Sequence, residues 1–159
     1  MIDLNQRKRI TNNLYDFYFT HIAKRYTPAR HAEYIYKISR YIEDMVSNRN
    51  KYTKDRLCIS VPPQHSKSSL VTWAFPLWII VHNPNARILI ANAEQGLSQT
   101  FGVKLREMAK QILPIYGFTL SENKQSSTEF MFDKNGEMME GSIRLTNKVV
   151  RELESAPQK

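Results

Sequence analysis

At residue 57 the spacing of apolar residues changes, and no other feature of the chain restricts its fold as much. Upstream, apolar side chains recur at helical intervals. Leu14, Phe17, Tyr18 and Ile22 form one stripe, and Ile35, Ile38, Ile42 and Met45 follow at spacings of 3, 4 and 3. From Leu57 onward, short continuous apolar runs alternate with helical stretches. Leu57-Cys58-Ile59-Ser60-Val61 reads as a strand, followed by a polar loop and a helical run to about Val81. His82-Asn83-Pro84-Asn85 ends that run, and Arg87-Ile88-Leu89-Ile90-Ala91 reads as a second strand. A helix over 94–112 follows, with Leu97, Phe101, Leu105, Met108 and Ile112 at spacings of 4, 4, 3 and 4. Strand, loop, helix, strand, helix is the order that builds a parallel sheet covered by helices, so the predicted class is α/β.

Turn and cap residues set the other boundaries. The first helix is predicted over roughly 2–26. Thr27-Pro28 then stops it and starts the next, because Thr is a good N-cap and Pro suits the first helical turn. The second helix ends in the polar run Ser47-Asn48-Arg49-Asn50-Lys51. Beyond Pro114 the pattern weakens until Phe130-Met131-Phe132 and Ser142-Ile143-Arg144-Leu145, which read as strands around Asp133-Lys134-Asn135-Gly136. Asn-Gly is a strong hairpin signal. The chain thus divides into an N-terminal helical pair (1–50), an α/β core with a short parallel sheet and a C-terminal hairpin (51–146), and a polar tail (147–159) outside the core.

Composition narrows the partners. Apolar residues are 42% and charged residues 24% of the 159, a globular balance rather than a disordered one. The net charge of +8 favours anionic partners such as DNA, RNA or nucleotides. Most of it is upstream: residues 1–56 hold 12 Lys and Arg against 6 Asp and Glu, residues 57–159 hold 11 against 9. The single cysteine, Cys58, excludes an intrachain disulfide, suits a reducing cytosol, and is expected to be a small buried core residue. The N-terminal segment MIDLNQRKRI has no apolar core of a secretory signal. The apolar stretch near Trp73, interrupted by Pro76, is too short to cross a bilayer, so no membrane partner is expected.

The chemistry is concentrated in residues 61–69. A phosphate-binding loop must wrap backbone N–H groups around an anion, offer a lysine to the terminal phosphates, and place a hydroxyl on Mg2+. Those needs fix the order of parts: apolar strand, tight loop, Lys, Ser or Thr, then a helix whose positive end faces the anion. Here the loop is Pro62-Pro63-Gln64-His65-Ser66-Lys67-Ser68-Ser69, with Lys67 as the lysine and Ser68 as the hydroxyl. The usual G-x-x-x-x-G-K-[ST] pattern is not met, because Val61 and Ser66 stand at its two glycine positions. Ser66 is the serious departure, since glycine there permits close approach and unusual φ/ψ. The plain alternative is a lysine before a helix that Ser68 or Ser69 simply caps.

Pro62-Pro63-Gln64-His65-Ser66-Lys67-Ser68 resembles the P-P-R-H-G-K-S phosphate loop of phage terminase large subunits. The likeness continues through Phe75-Pro76-Leu77-Trp78, Asn83-Pro84-Asn85-Ala86-Arg87, Ile90-Ala91-Asn92-Ala93-Glu94, Leu97-Ser98 and Phe101-Gly102, and upstream at Tyr26-Thr27-Pro28-Ala29-Arg30-His31. It covers about residues 25–146. The resemblance implies a P-loop NTPase of the additional-strand type, followed in the family by an RNase H-like nuclease domain. It implies binding of ATP and Mg2+ by residues 62–69, with Pro63, Gln64, His65, Ser66, Lys67, Ser68 and Ser69 around the nucleotide. Lys67 would take the catalytic role at the terminal phosphates and Ser68 would ligate Mg2+. His31 lies where related motors place an adenine-reading glutamine, although a plain helix-start residue is an equal reading. His21, His31, His65 and His82 have no metal-ligand spacing, and no protein metal site is assigned to them. The implied partners are double-stranded phage DNA, a small terminase subunit and a portal protein, in the host cell cytoplasm.

An ATPase also needs an apolar strand ending in an Asp that helps hold Mg2+ and a Glu that activates water. The family carries it beyond a strand like Ser142-Ile143-Arg144-Leu145-Thr146, where this chain turns instead into Asn147-Lys148-Val149-Val150-Arg151-Glu152. Phe130-Met131-Phe132-Asp133 and Tyr41-Ile42-Glu43-Asp44 imitate the pattern in the wrong places. The expectation is therefore an incomplete P-loop NTPase, a fragment of the packaging motor that binds nucleotide with negligible turnover. Two alternatives stand beside it: a helicase-like P-loop ATPase, and a non-catalytic basic module that binds DNA or a partner.

Overall fold

In the computed structural model, residues 10–23, 32–47, 56–63, 65–92, 94–126 and 128–146 are described. His31, Gln64 and the tail 147–159 lie outside them. The chain forms two compact units, divided between Trp78 and Ile79.

The first unit is helical. Helix α1 (Leu14–His21) begins at Asn13, whose side-chain oxygen accepts from Asp16 N at 2.7 Å. Asp16 returns the contact by accepting from Asn13 Nδ2 at 2.9 Å. Replacing such a cap by Ala typically costs about 1 kcal/mol. The single helix expected over 2–26 is therefore broken. Ile10 and Thr11 are helical, Asn12 bends, and Asn13 is extended at φ −143° before the helix restarts. The predicted stripe still faces inward, with Leu14, Phe17, Tyr18 and Ile22 all buried. Helix α2 (Ala32–Ser47) buries Ile35 and Ile42 and packs against α1.

A buried carboxylate joins the two helices. Glu43 on α2, only 7% exposed, accepts from Leu14 N at 2.6 Å and from Arg40 Nη1 at 2.8 Å. It satisfies an otherwise orphan amide of the first turn of α1, and its negative charge suits the positive end of that helix. Glu43 thus serves the helix pair and not a nucleotide. A six-residue π-helical turn, Ser69–Ala74, adds buried Leu70, Trp73 and Ala74 beside α1. Trp78 Nε1 donates to Thr11 O at 2.9 Å across 67 residues of sequence.

Helix α3 (Phe75–His82) continues that turn and leads into the second unit. There the strands are β1 (Arg87–Ala91), β2 (Phe118–Gln125), β3 (Glu129–Lys134) and β4 (Glu137–Thr146). They lie in the order β1-β4-β3-β2. Only β1 and β4 run parallel, with Ile88 beside Ile143 and Ile90 beside Leu145. The sheet is therefore mixed rather than the short parallel sheet expected, because the hairpin β3–β4 inserts beside β1 and β2 adds antiparallel to β3. Strand β2 is not among the expected strands: its Phe118-Thr119-Leu120-Ser121 opening is short and passes into polar residues.

The hairpin turns at Asn135-Gly136, with φ of 52° and 87°, between the closing pair Lys134 and Glu137. Both central residues being left-handed matches the type I′ geometry that Asn-Gly favours. Asp133 sits before that turn, paired in register with Met138. Phe130 and Phe132 are fully buried, as are Ile143 and, within 3%, Leu145. Helix α4 (Gln95–Ile112) packs on β4 and β2 through its stripe, burying Leu105, Met108 and Ile112, while Leu97 at its first turn is exposed. Each fully buried Leu, Ile or Phe contributes about 1.5–3 kcal/mol of transfer free energy. At Gly141 a Cβ would collide with the carbonyl oxygen of Pro84, so only glycine lets β4 pass the turn before β1. Strand β1 stands at the sheet edge with Leu89 54% exposed.

Two expectations for residues 57–61 are corrected. The segment forms no strand and pairs with none among the described residues. Cys58 is exposed rather than buried, and Leu57 is 39% exposed. An apolar run becomes a core strand only when neighbours cover its faces and pair its backbone, and here Ile38 and Tyr41 of α2 line, with the segment, an open depression of about 280 Å³.

Candidate functional site

The candidate site is the loop that joins this segment to the helical run. Pro62 and Pro63 fix φ and remove two backbone donors, so the chain cannot continue as a paired strand. His65 then folds back, its ring Nδ1 lying 2.8 Å from Pro63 O. Ser66 takes φ 59°, in the left-handed region where few non-glycine residues are found. Residue 67 begins the helix, and the first helical hydrogen bond runs from Leu70 N to Ser66 O at 3.0 Å. The amides of Lys67, Ser68 and Ser69 precede that bond and have no intrahelical acceptor.

Residues 61–63 and 65–69 line an open cavity of about 510 Å³. That is within the range of small-ligand sites. Of the residues expected around a nucleotide, Pro63, His65, Ser66, Lys67, Ser68 and Ser69 are all brought to it. Gln64 and His31 lie outside the described residues. Ser68 makes no side-chain cap hydrogen bond, which weighs against the plain capping alternative for that hydroxyl. Lys67 is exposed, and among the described residues no carboxylate is within ion-pair distance of it. Among the described residues no Asp or Glu lines the cavity, which brings together a lysine and the start of a helix, a combination that suits an anion.

One contributor is not legible from spacing. Tyr34 on α2 donates its hydroxyl to the carbonyl oxygen of His65 at 2.8 Å, and the two rings lie 6.0 Å apart at 51°. Lost hydration, and then the neighbouring Tyr18, raise the Tyr34 pKa above the ordinary tyrosine value and favour the neutral donor. The contact spans 31 residues and Tyr34 is not on the Ile35-Ile42 stripe, so no local pattern announces it.

The residues fit a phosphate group with Mg2+ in three respects. The loop offers unpaired amides, the lysine is uncommitted among the described residues, and the Ser68 hydroxyl is not spent on capping. No group of three or more His, Cys, Asp or Glu stands together among the described residues. A metal ion there would depend on the ligand's own oxygens together with Ser68. No helix among the described residues is long and apolar enough to cross a membrane.

Comparison with protein-family models, with curated proteins and with solved structures gave no match.

Proposed function

We propose that this chain is a nucleotide-binding part of a phage DNA-packaging motor, a P-loop NTPase of the additional-strand type in which residues 62–69 hold MgATP. The observation that carries the reading is the loop itself: a left-handed Ser66, an exposed Lys67 and amides without intrahelical acceptors around one cavity. The resemblance of Pro62-Pro63-Gln64-His65-Ser66-Lys67-Ser68 to the terminase phosphate loop supports the more specific assignment.

In this reading the amides of residues 66–69 surround the β-phosphate, which is the strongest use of a helix start. Lys67 bonds the terminal phosphate oxygens and offsets charge that builds there. Ser68 would contribute its hydroxyl to Mg2+. The bound MgATP supplies the transferable phosphoryl group, and these residues bind and orient it. Activation of water requires a carboxylate, and none lines the cavity among the described residues. The partners of this reading are double-stranded DNA, a small terminase subunit and a portal protein in the host cytoplasm.

The test is an equilibrium titration of the 159-residue chain with a fluorescent ATP analogue and Mg2+, repeated with Lys67→Ala and in the presence of duplex DNA. Lys67-dependent binding supports the proposal. Salt-sensitive DNA binding with no response to nucleotide would instead favour the basic non-catalytic module.

A further inference from the structure

We infer that Tyr34 is a positioning residue for the anion cradle, setting the peptide between His65 and Ser66 so that its N–H is available to a phosphate; the inference rests on the nucleotide-binding reading above. A trans peptide is planar, and its C=O and N–H point in opposite directions. There are no cis peptides in the described chain. The Tyr34 hydroxyl holds the His65 carbonyl oxygen at 2.8 Å, so the Ser66 N–H is directed away from α2 by the same plane. Without that hold the peptide could rotate, present its carbonyl oxygen to an incoming phosphate, and turn attraction into repulsion.

The surroundings make this control necessary. Ser66 sits at φ 59°, a conformation a serine does not keep by preference, and glycine, which would accept it freely, is absent from the loop. The segment before the loop is unpaired among the described residues, so no sheet anchors it from that side. Two contacts instead hold the carbonyls on the proline side of Ser66: His65 Nδ1 beside Pro63 O, and the Tyr34 hydroxyl on His65 O. The second comes from α2, which links the loop to the helical pair. The residue acts through the backbone of the loop and touches no nucleotide. Its removal is therefore expected to weaken recognition of phosphate, and not of the nucleoside.

The test uses the full 159-residue chain with Mg-pyrophosphate as the probe. Affinities are measured by calorimetry, and amide resonances by 15N-correlated NMR, for the unmodified chain, Lys67→Ala, Tyr34→Phe and Tyr36→Phe. Tyr36 is on the same helix, is about half exposed and serves as the control. The expected result is that Tyr34→Phe binds pyrophosphate roughly three- to tenfold more weakly, the worth of one neutral hydrogen bond. Its ligand-free spectrum should change at His65, Ser66 and Lys67 and stay unchanged at core positions such as Phe17 and Ile42, with Tyr36→Phe silent on both counts. Wild-type affinity in Tyr34→Phe overturns the inference. So does weakened affinity accompanied by shifts throughout the helical core, because that would make the contact merely structural. If the unmodified chain shows no Lys67-dependent binding, the nucleotide reading itself fails and Tyr34 has no cradle to position.

Discussion

Apart from glycines, two described residues take a left-handed backbone, Ser66 and Asn135, and they are built in opposite ways. Asn135 is followed by Gly136, both residue types tolerate positive φ, and paired strands leave the turn on either side. Everything around it agrees, so the turn is a low-energy consequence of its own residues. Ser66 has no such support. A segment unpaired among the described residues leads in, an exposed lysine follows, and the conformation costs on the order of 1–2 kcal/mol for a side chain with a Cβ. Local agreement marks the part of the chain that specifies the fold. Local disagreement, held in place by Tyr34 and the start of a helix, marks the part proposed to bind a ligand.

The largest expected effect sharpens the hairpin side of this contrast. Phe132→Ala removes a fully buried ring and should lower stability by about 3–5 kcal/mol in urea denaturation. Under native conditions it should leave nucleotide affinity unchanged. Lys67→Ala should do the reverse. Its exposed side chain contributes little to stability, within about 0.5 kcal/mol. Loss of a charge-assisted contact to phosphate should weaken MgATP binding tenfold or more, on the order of 1.5–3 kcal/mol.

Smaller effects bear on the two turns directly. Gly136→Val places a β-branched residue at φ 87° and should cost on the order of 1–2 kcal/mol, read as a lower denaturation midpoint. Ser66→Gly should stabilise the chain, by about 0.5–1 kcal/mol once the extra freedom of the unfolded glycine is subtracted. It should also tighten pyrophosphate binding. A loss of stability in Ser66→Gly would break the contrast, because it would show that serine makes a contact worth more than the strain. The smallest effect is on pH dependence. The folded-state pKa of Tyr34 is raised by burial, so below the unfolded tyrosine pKa of about 10 both states keep the proton and the residue adds no slope. Above it the unfolded state ionises first and stability falls as pH rises. Tyr34→Phe should remove that share of the alkaline decline in thermal denaturation.

What can be read from sequence follows the same division. Asn135-Gly136, the Arg87-Ile88-Leu89-Ile90-Ala91 strand and the stripe Leu105, Met108 and Ile112 are legible because each carries its own signal within a few residues. Asn13 does not stand out as a helix start even though Asp16 follows three residues on, because the apolar stripe and its helical spacing dominate the segment. Strand β2 is hidden by the polar residues after Leu120, where its register against β3 shifts before Gln125 meets Phe130. Residues 57–61 carry the composition of a core strand, but a strand is completed by neighbours that composition does not name, and Cys58 and Leu57 are exposed as a result. At the loop, the order of residue types identifies the cavity lining from Pro63 to Ser69, apart from Gln64, which lies outside the described residues. The contact from Tyr34 depends on how α2 lies beside the loop, and only the folded chain reveals it.

The central claim is that main-chain amides at residues 66–69 receive an anion with help from Lys67. It is tested most directly by mapping amide shifts in 15N-correlated NMR spectra as Mg-pyrophosphate is added to the unmodified chain and to Lys67→Ala. Saturable shifts concentrated at Ser66, Lys67, Ser68 and Ser69 that vanish in the variant are expected. Shifts scattered over residues 1–56, which carry most of the net positive charge, or identical titrations of the two proteins, would contradict it.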